Sequence, residues 1–456
     1  MDDDHFIYIN ERPVDDISLE IFYKPHTLSL LLTSITGLVY FAFTRNEESL
    51  YDNILAGILA ASFFFLVISL LAAPNGPFVR PHPAVWRLVF GLSVLYLMFL
   101  MTMIFQNYQT VRGILVHYYP ELRNFSIDHE KVYGEDCNPV TWEKLWSHVD
   151  VFAFAHFSGW VMKAILVRHY GILWTISIMW EVTEVLFSHL LPNFIECWWD
   201  AFGLDVLLCN GLGIYVGMQI CRYLEMRDYH WESVRTIRTT RGKIKRCVLQ
   251  FTPHSWTQVR WLQPESGFMR MFAMWQLIVF WMLSELNTFF LKHILETPPD
   301  HPLVIARILF LGLIVAPTVR QYYGYVTDSR CRRMGTQCWI FVAITLAEAV
   351  LCVKLGKDVF AKAQLLKILA WLILLGLASA LSVFLSVLWG RWREGTAEEL
   401  WRTAADKPVE EEEEAEELDD EAVKEKQELD DETETGKENK LKQVNNVKHR
   451  KKRIHS

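Results

Sequence analysis

Apolar residues in this chain are gathered in blocks of about 20, the length that crosses a hydrocarbon layer about 30 Å thick. About ten such blocks occur, at 27–43, 54–73, 86–105, 149–167, 171–191, 202–221, 270–294, 303–323, 337–355 and 365–389. In lipid the backbone has no water to bond, so each block is predicted to close its hydrogen bonds within itself as a helix. The predicted fold is therefore all-α: a polytopic membrane bundle of about ten transmembrane helices spanning residues 27–395. Residues 1–26 are read as an N-terminal cytosolic segment and 396–456 as a disordered, charged cytosolic tail. That tail holds the acidic run Glu410 to Glu417 and the basic stretch Lys448 to Arg453, so the formal net charge of -8 says little about the rest of the chain. Such charge blocks usually stay solvated, with contact to anionic lipid as the sharper alternative. No nucleic-acid partner is predicted, and a homodimer is left open.

The start, MDDDHFIYINERP, lacks a basic segment followed by an apolar stretch and cleavage site, so no removable signal peptide is read. Ten spans put both termini on one side. Arg80, Arg168, the stretch from Arg222 to Arg260, and Arg330, Arg332 and Arg333 follow the even-numbered spans, and the alternate loops are poor in Lys and Arg. Positive charge marks the cytosolic side, which places both termini there. Asn124-Phe-Ser126, the chain's only glycosylation sequon, then falls in a luminal or exterior loop. Cys137 and Cys197 fall on that same side and are free to pair, whereas the other six cysteines suit buried hydrophobes.

Between His156 and Asn210 these apolar segments carry an unusual load of polar groups. A carboxylate near the centre of a membrane helix costs roughly 2.5–3.5 kcal/mol, so several close together call for a partner. Glu181 and Glu184 stand three apart in WTISIMWEVTE and so project from one helix face about a turn apart. The loop LPNFIECWWD adds Asn193, Glu196 and Asp200, and the next helix returns with Asp205 and Asn210. An all-oxygen donor set suits calcium, which takes roughly six to eight oxygens in loose geometry. Magnesium or manganese meets the same description. Zinc would favour nitrogen or sulfur, and no HExxH or paired CxxC occurs. The structural alternative is that the acids form ion pairs with His156, His189, Lys163 or Arg168, but five acids face few cations.

His156, in AHFSGWVMKAIL on the preceding span, is the candidate general base, with Gly159 one turn on predicting close helix approach. Trp160, Trp174, Trp180, Trp198 and Trp199 surround the cluster. They suit an interfacial belt, or a quaternary ammonium held by cation–π attraction. Asn193, Asn210, Trp180 and Trp199 are the substrate-binding candidates. A separate set of cations, Arg80, Lys243, Lys245, Arg246 and Arg320, lies at the predicted cytosolic face. It reflects topology alone or forms a pocket for anionic headgroups.

No internal repeat suggests a transporter, and the D-G-x2-A-R-x8-G-x3-D-x3-D signature of CDP-alcohol phosphotransferases is absent. The segments PNGPFVRPHPAVWR, AHFSGWVMKAIL, WEVTE, LPNFIECWWD, DVLLCNGLGIY, GKIKR, QFTPHSW, SELNTFFLKH and APTVRQYY resemble the metazoan phosphatidylserine synthases, base-exchange enzymes of the endoplasmic reticulum. The resemblance runs to about residue 395, and YFAFTR, WTISIMWEVTE and APTVRQYY are more similar to the type 1 enzyme. It implies calcium-dependent replacement of the choline of phosphatidylcholine, or the ethanolamine of phosphatidylethanolamine, by L-serine. His156 would be the catalytic histidine. Glu181, Glu184, Glu196, Asp200 and Asp205 would hold the metal, with Asn193 in the same motif. Inhibition by the product would map onto Arg80, Arg246 and Arg320. A non-catalytic lipid scramblase or a lipid-gated cation channel remains the alternative from another class.

Overall fold

The structure is a computed structural model and describes residues 26–45, 49–78, 82–125, 134, 137–148, 151–225, 239–249, 261, 267–327, 331 and 333–405. Among them are helices and no strands. In chain order these are α1 (His26–Thr44), α2 (Leu50–Ala72), α3 (Pro83–Ile104), α4 (Tyr108–Tyr118), α5 (Trp142–His148), α6 (Val151–Val167) and α7 (Tyr170–Phe187). A π-helix (Asp200–Leu212) then runs into α8 (Gly213–Glu225), followed by α9 (Thr240–Leu249) and α10 (Gly267–Ile294). The last four are α11 (Pro302–Thr327), α12 (Thr336–Leu355), α13 (Lys357–Phe360) and α14 (Leu365–Ala405).

Eight described helices are long and apolar enough to cross a membrane. The other two apolar blocks are helical but differ in kind: Ala153–Val167 is short, and α7 carries two carboxylates in 18 residues. The protein is thus a multi-pass helical membrane protein. Its perimeter is covered with exposed apolar side chains such as Phe43, Leu366 and Phe384, a surface that water would not tolerate and lipid does. Chain contacts divide the molecule into Met1–Val387 and Leu388–Ser456. In the second unit the described residues are helical to Ala405, beyond the boundary at 395 expected from the sequence.

Helix starts follow the capping residues. Asn107 Oδ1 accepts from the Thr110 N–H at 2.8 Å to begin α4. His82 Nδ1 accepts from the Ala84 N–H at 3.1 Å, with Pro83 in the first turn of α3 where its missing donor costs nothing. Between α6 and α7 only two residues turn the chain. Arg168 adopts φ 54°, the left-handed conformation such a tight reversal needs, and His169 caps α7 by accepting from the Ile172 N–H at 3.2 Å. The core contains Trp160, Ile172, Ile176, Ile278, Met282, Ile314 and Ile344.

The pairing of α6 with α8 sets the site. A Cβ at Gly217 would lie 2.6 Å from the Ala164 Cβ and 2.7 Å from the Val161 carbonyl oxygen, and one at Gly213 2.7 Å from the Trp160 Cβ. Glycine is what lets these helices touch. Gly159, predicted from sequence to make the close approach, has nothing within 4 Å of where a Cβ would be. The small residues that matter sit on the opposite helix, and Gly159 borders open space instead.

Candidate active site

In an α-helix residues five apart are rotated by about 140° from one another, so Asp200, Asp205 and Asn210 would point in different directions. The segment is wound instead as a π-helix over Asp200–Leu212, whose i→i+5 bonding stacks residues spaced by five. That winding brings Asp205 and Asn210 toward Glu181 of α7, with Asp200 beside Asp205 and Glu196. Nothing in residue type announces it, and the sequence prediction of an ordinary helix missed it.

Asn210 is fully buried. Its Nδ2 donates to Ser177 Oγ at 2.8 Å, and its amide also bonds the Glu181 side chain. The amide is therefore held in one orientation, with Oδ1 2.7 Å from His156 Nε2. From the next turn of α6, Trp160 Nε1 approaches the same nitrogen at 3.2 Å, and Asp205 Oδ1 lies 3.9 Å away. The indole can only donate, whereas the amide oxygen can only accept. Trp160 thus satisfies Nε2 when it is bare, and Asn210 satisfies it when it carries a proton. This nitrogen has a partner in either protonation state. Ser177 was not singled out from the sequence, although it lies four residues before Glu181 and so on the same helix face.

The five predicted acids do converge. Glu184 feels Glu196, Glu181 and Asp205, while Glu196 feels Asp205, Asp200 and Glu181. Glu196 and Asp205 approach within hydrogen-bonding reach, a distance that two bare carboxylates hold only with a shared proton or cation between them. Burial, and then the charges of Asp205, Asp200 and Glu181, push the Glu196 carboxyl up to about 9. Glu181 Oε1 and Glu196 Oε2 are buried with no hydrogen-bond partner, so the cluster has acceptor capacity that the protein leaves unused. Donor chemistry and unused oxygens both fit a hard cation. Among the described residues no three His, Cys, Asp or Glu side chains form a ready-made metal cage, so the fit lies in donor type and in the unused oxygens.

The ion-pair alternative is met in part: His156 Nε2 lies 3.9 Å from Asp205 Oδ1, and the Lys163 charge reaches Glu181. Lys163 is engaged by Glu285 of α10 at 2.6 Å and lies over the Trp160 ring, 4.1 Å from its centroid. Arg168 donates from Nε to the Ile165 carbonyl at 3.0 Å, and both ring nitrogens of His189 are buried without a hydrogen-bond partner. The Lys163–Glu285 pair, extended by the Trp281 N–H donating to Glu285 at 2.7 Å, joins residues more than a hundred positions apart, beyond the reach of local spacing.

Asn193 lies half-buried in the loop between α7 and the π-helix. That loop is tied down by a disulfide between Cys137 and Cys197, next to Glu196, and by the Trp199 N–H donating to the Cys137 carbonyl at 3.1 Å. Trp180 and Trp199, the aromatic substrate-binding candidates, are not surface side chains here. Both are buried: Trp180 packs against Phe194 and Phe289 and bonds Glu184, and Trp199 belongs to a small core with Cys197 and Leu204. Packing has already covered the ring faces that cation–π binding would use.

Of the predicted lipid-binding cations, Arg80 lies outside the described residues, as does the side chain of Arg246. Lys243 is exposed on α9, and Arg320 is half-buried with its guanidinium 5.5 Å from the Tyr323 ring centroid. Asn124 is exposed at the end of the short turn Pro120–Asn124.

A histidine with a donor and an acceptor at one ring nitrogen stands beside an oxygen-rich acidic cluster in a multi-pass membrane protein, an arrangement suited to acid–base chemistry on a substrate that resides in the bilayer. Comparison with known proteins is specific about which. A family model described as phosphatidyl serine synthase matches residues 81–356. The phosphatidylserine synthase of Drosophila melanogaster is 58% identical over 384 residues, covering 84% of this chain and 77% of the relative. Phosphatidylserine synthase 1 of Danio rerio is 54% identical over 384 residues, covering 84% and 83%. CDP-diacylglycerol--serine O-phosphatidyltransferase 2 of Oryza sativa subsp. japonica is 39% identical over 356 residues, covering 74% and 82%. The chain belongs to the phosphatidylserine synthase family and is a multi-pass membrane enzyme making phosphatidylserine.

Proposed function

We propose that this enzyme works by calcium-dependent base exchange, replacing the choline of phosphatidylcholine, or the ethanolamine of phosphatidylethanolamine, by L-serine. One observation carries the reading: His156 Nε2 has an acceptor and a donor, Asn210 and Trp160, waiting for its two protonation states. Base exchange requires one group to take a proton and give one back. His156 removes the proton of the serine hydroxyl as the serine oxygen bonds to phosphorus, and the bond from phosphorus to the choline oxygen breaks. The imidazolium then returns the proton to that oxygen, releasing choline. Atoms and charge balance without a nucleotide. Asn210, held by Ser177 and Glu181, fixes the ring while the proton is on Nε2.

Glu181, Glu184, Glu196, Asp200 and Asp205 are the residues that would hold calcium. When bound it would offset the phosphodiester charge and stabilise the added charge of five-coordinate phosphorus. We place the enzyme in the endoplasmic reticulum membrane with both termini cytosolic and the loop around Glu196 luminal. The Cys137–Cys197 disulfide supports that side, because such bonds persist in oxidising compartments. A role for Arg80, Lys243, Arg246 and Arg320 in binding regulatory anionic lipid belongs to the same proposal.

The rice relative's name gives a different donor a specific claim. Purified protein in vesicles, given labelled serine and phosphatidylcholine, phosphatidylethanolamine or CDP-diacylglycerol in turn, separates the two. Exchange predicts label in lipid from the first two, release of choline or ethanolamine, and loss of both on chelation. Incorporation from CDP-diacylglycerol alone, or none from any donor, would overturn it.

A further inference from the structure

A cavity of about 690 Å³ lies between α6, α10, α11 and α12, within the roughly 300–1,000 Å³ range of small-molecule pockets. Its wall is almost wholly apolar, and the Lys163–Glu285 pair is its charged feature. Two properties say what enters it. First, Met162, Ile308, Leu309 and Leu313 line it yet are also exposed on the protein's apolar perimeter, so it opens sideways, toward lipid. Second, His156, Gly159 and Lys163 lie along one face of α6 at spacings of three and four, and Gly159 and Lys163 line the cavity. Nothing lies within 4 Å of a Gly159 Cβ position, so the cavity wall is open at the turn of α6 that follows His156.

We propose that this cavity is the acyl-chain subsite for the phospholipid donor: one chain enters from the bilayer past Leu309 and Leu313, and the phosphate comes to rest near Lys163 on the His156 side. An apolar cavity opening to lipid suits a hydrocarbon chain, and the Lys163 ammonium has three donors, more than its pairing with Glu285 uses, with which to meet a phosphodiester oxygen. The inference rests on phosphatidyl transfer as the reaction but does not depend on which headgroup leaves.

Phosphatidylcholine bearing a photoactivatable diazirine near the end of one chain, incorporated in nanodiscs with the full-length protein, tests it. Leu277 and Leu311 line the cavity but are buried, so bulk lipid cannot label them. The expected result is labelling at or beside these residues. It should fall about tenfold in Gly312→Phe, whose ring would project into the cavity; displacing two methylenes already accounts for that much. Labelling restricted to perimeter residues such as Leu366 and Phe384 in the wild-type protein would overturn the subsite, whether or not the variant folds. Protein that is labelled at Leu277 yet incorporates no serine from any donor would overturn the exchange reading and leave the subsite standing.

Discussion

Removing the Glu348 carboxylate should cost the fold more than any other single truncation among its buried polar groups. Glu348 is fully buried on α12 and receives Arg307 of α11 in a two-pronged bond, Nε to Oε1 at 2.9 Å and Nη2 to Oε2 at 2.7 Å. Tyr96 of α3 donates to Oε1 at 2.6 Å, and Asn287 of α10 donates more weakly to Oε2 at 3.4 Å. Four helices therefore meet on one carboxylate. In Glu348→Ala the guanidinium, whose side chain is only 14% exposed, keeps its bond to Thr288 at 2.7 Å but loses its counter-charge. An uncompensated buried charge costs about 3–5 kcal/mol. Losing the Tyr96 bond adds about 0.6 kcal/mol, the average for side-chain bonds within membrane proteins, and Asn287 keeps its bond to the Thr345 carbonyl. Glu348→Gln, which keeps shape and one acceptor, should fall between. Replacing both partners, Arg307→Met with Glu348→Leu, should recover most of the loss, because no charge is left stranded. Unfolding by sodium dodecyl sulfate in mixed micelles measures all four proteins. The reasoning fails if the double variant is as unstable as Glu348→Ala, or if raising salt erases the difference, since a pair shielded from water is little screened.

His156→Ala should abolish phosphatidylserine formation while leaving thermal stability close to wild type; substantial residual turnover would remove it from acid–base chemistry. Glu184→Gln should raise the calcium concentration needed for half-maximal activity, and an unchanged calcium curve would take it out of the ligand set. Gly217→Ala, which puts a methyl within 2.7 Å of the Val161 carbonyl, should destabilise by about 1–3 kcal/mol and lower activity by moving Asn210 from His156. Wild-type stability and turnover in that variant would show that α6 and α8 can part freely. In microsomes Asn124 should acquire a glycan; its absence, with modification of a sequon engineered into the 222–260 segment, would reverse the topology.

The ten apolar blocks were visible in the sequence because each must satisfy its own backbone in lipid, a local demand. The acids were visible too, since a carboxylate in such a block is costly enough to stand out. Glu181 and Glu184 could be placed on one face because an ordinary helix carries them. Asp200, Asp205 and Asn210 could not, because their shared face depends on π-winding, which the pattern of apolar residues does not report. Gly159 misled for a related reason: a small residue shows where space is available, but only the partner helix determines whether that space is filled.

By itself the sequence determined that the chain is a membrane helical bundle, which residues are candidates for its chemistry, and which family it resembles. These follow from composition and from spacing within single segments. Only the tertiary structure decided that Lys163 pairs with Glu285, that Asn210 and Trp160 attend the same nitrogen of His156, and that Trp180 and Trp199 are buried. Each of those depends on helix rotation and on contacts between residues far apart in the chain, where the energy comes from packing and desolvation that no local pattern encodes.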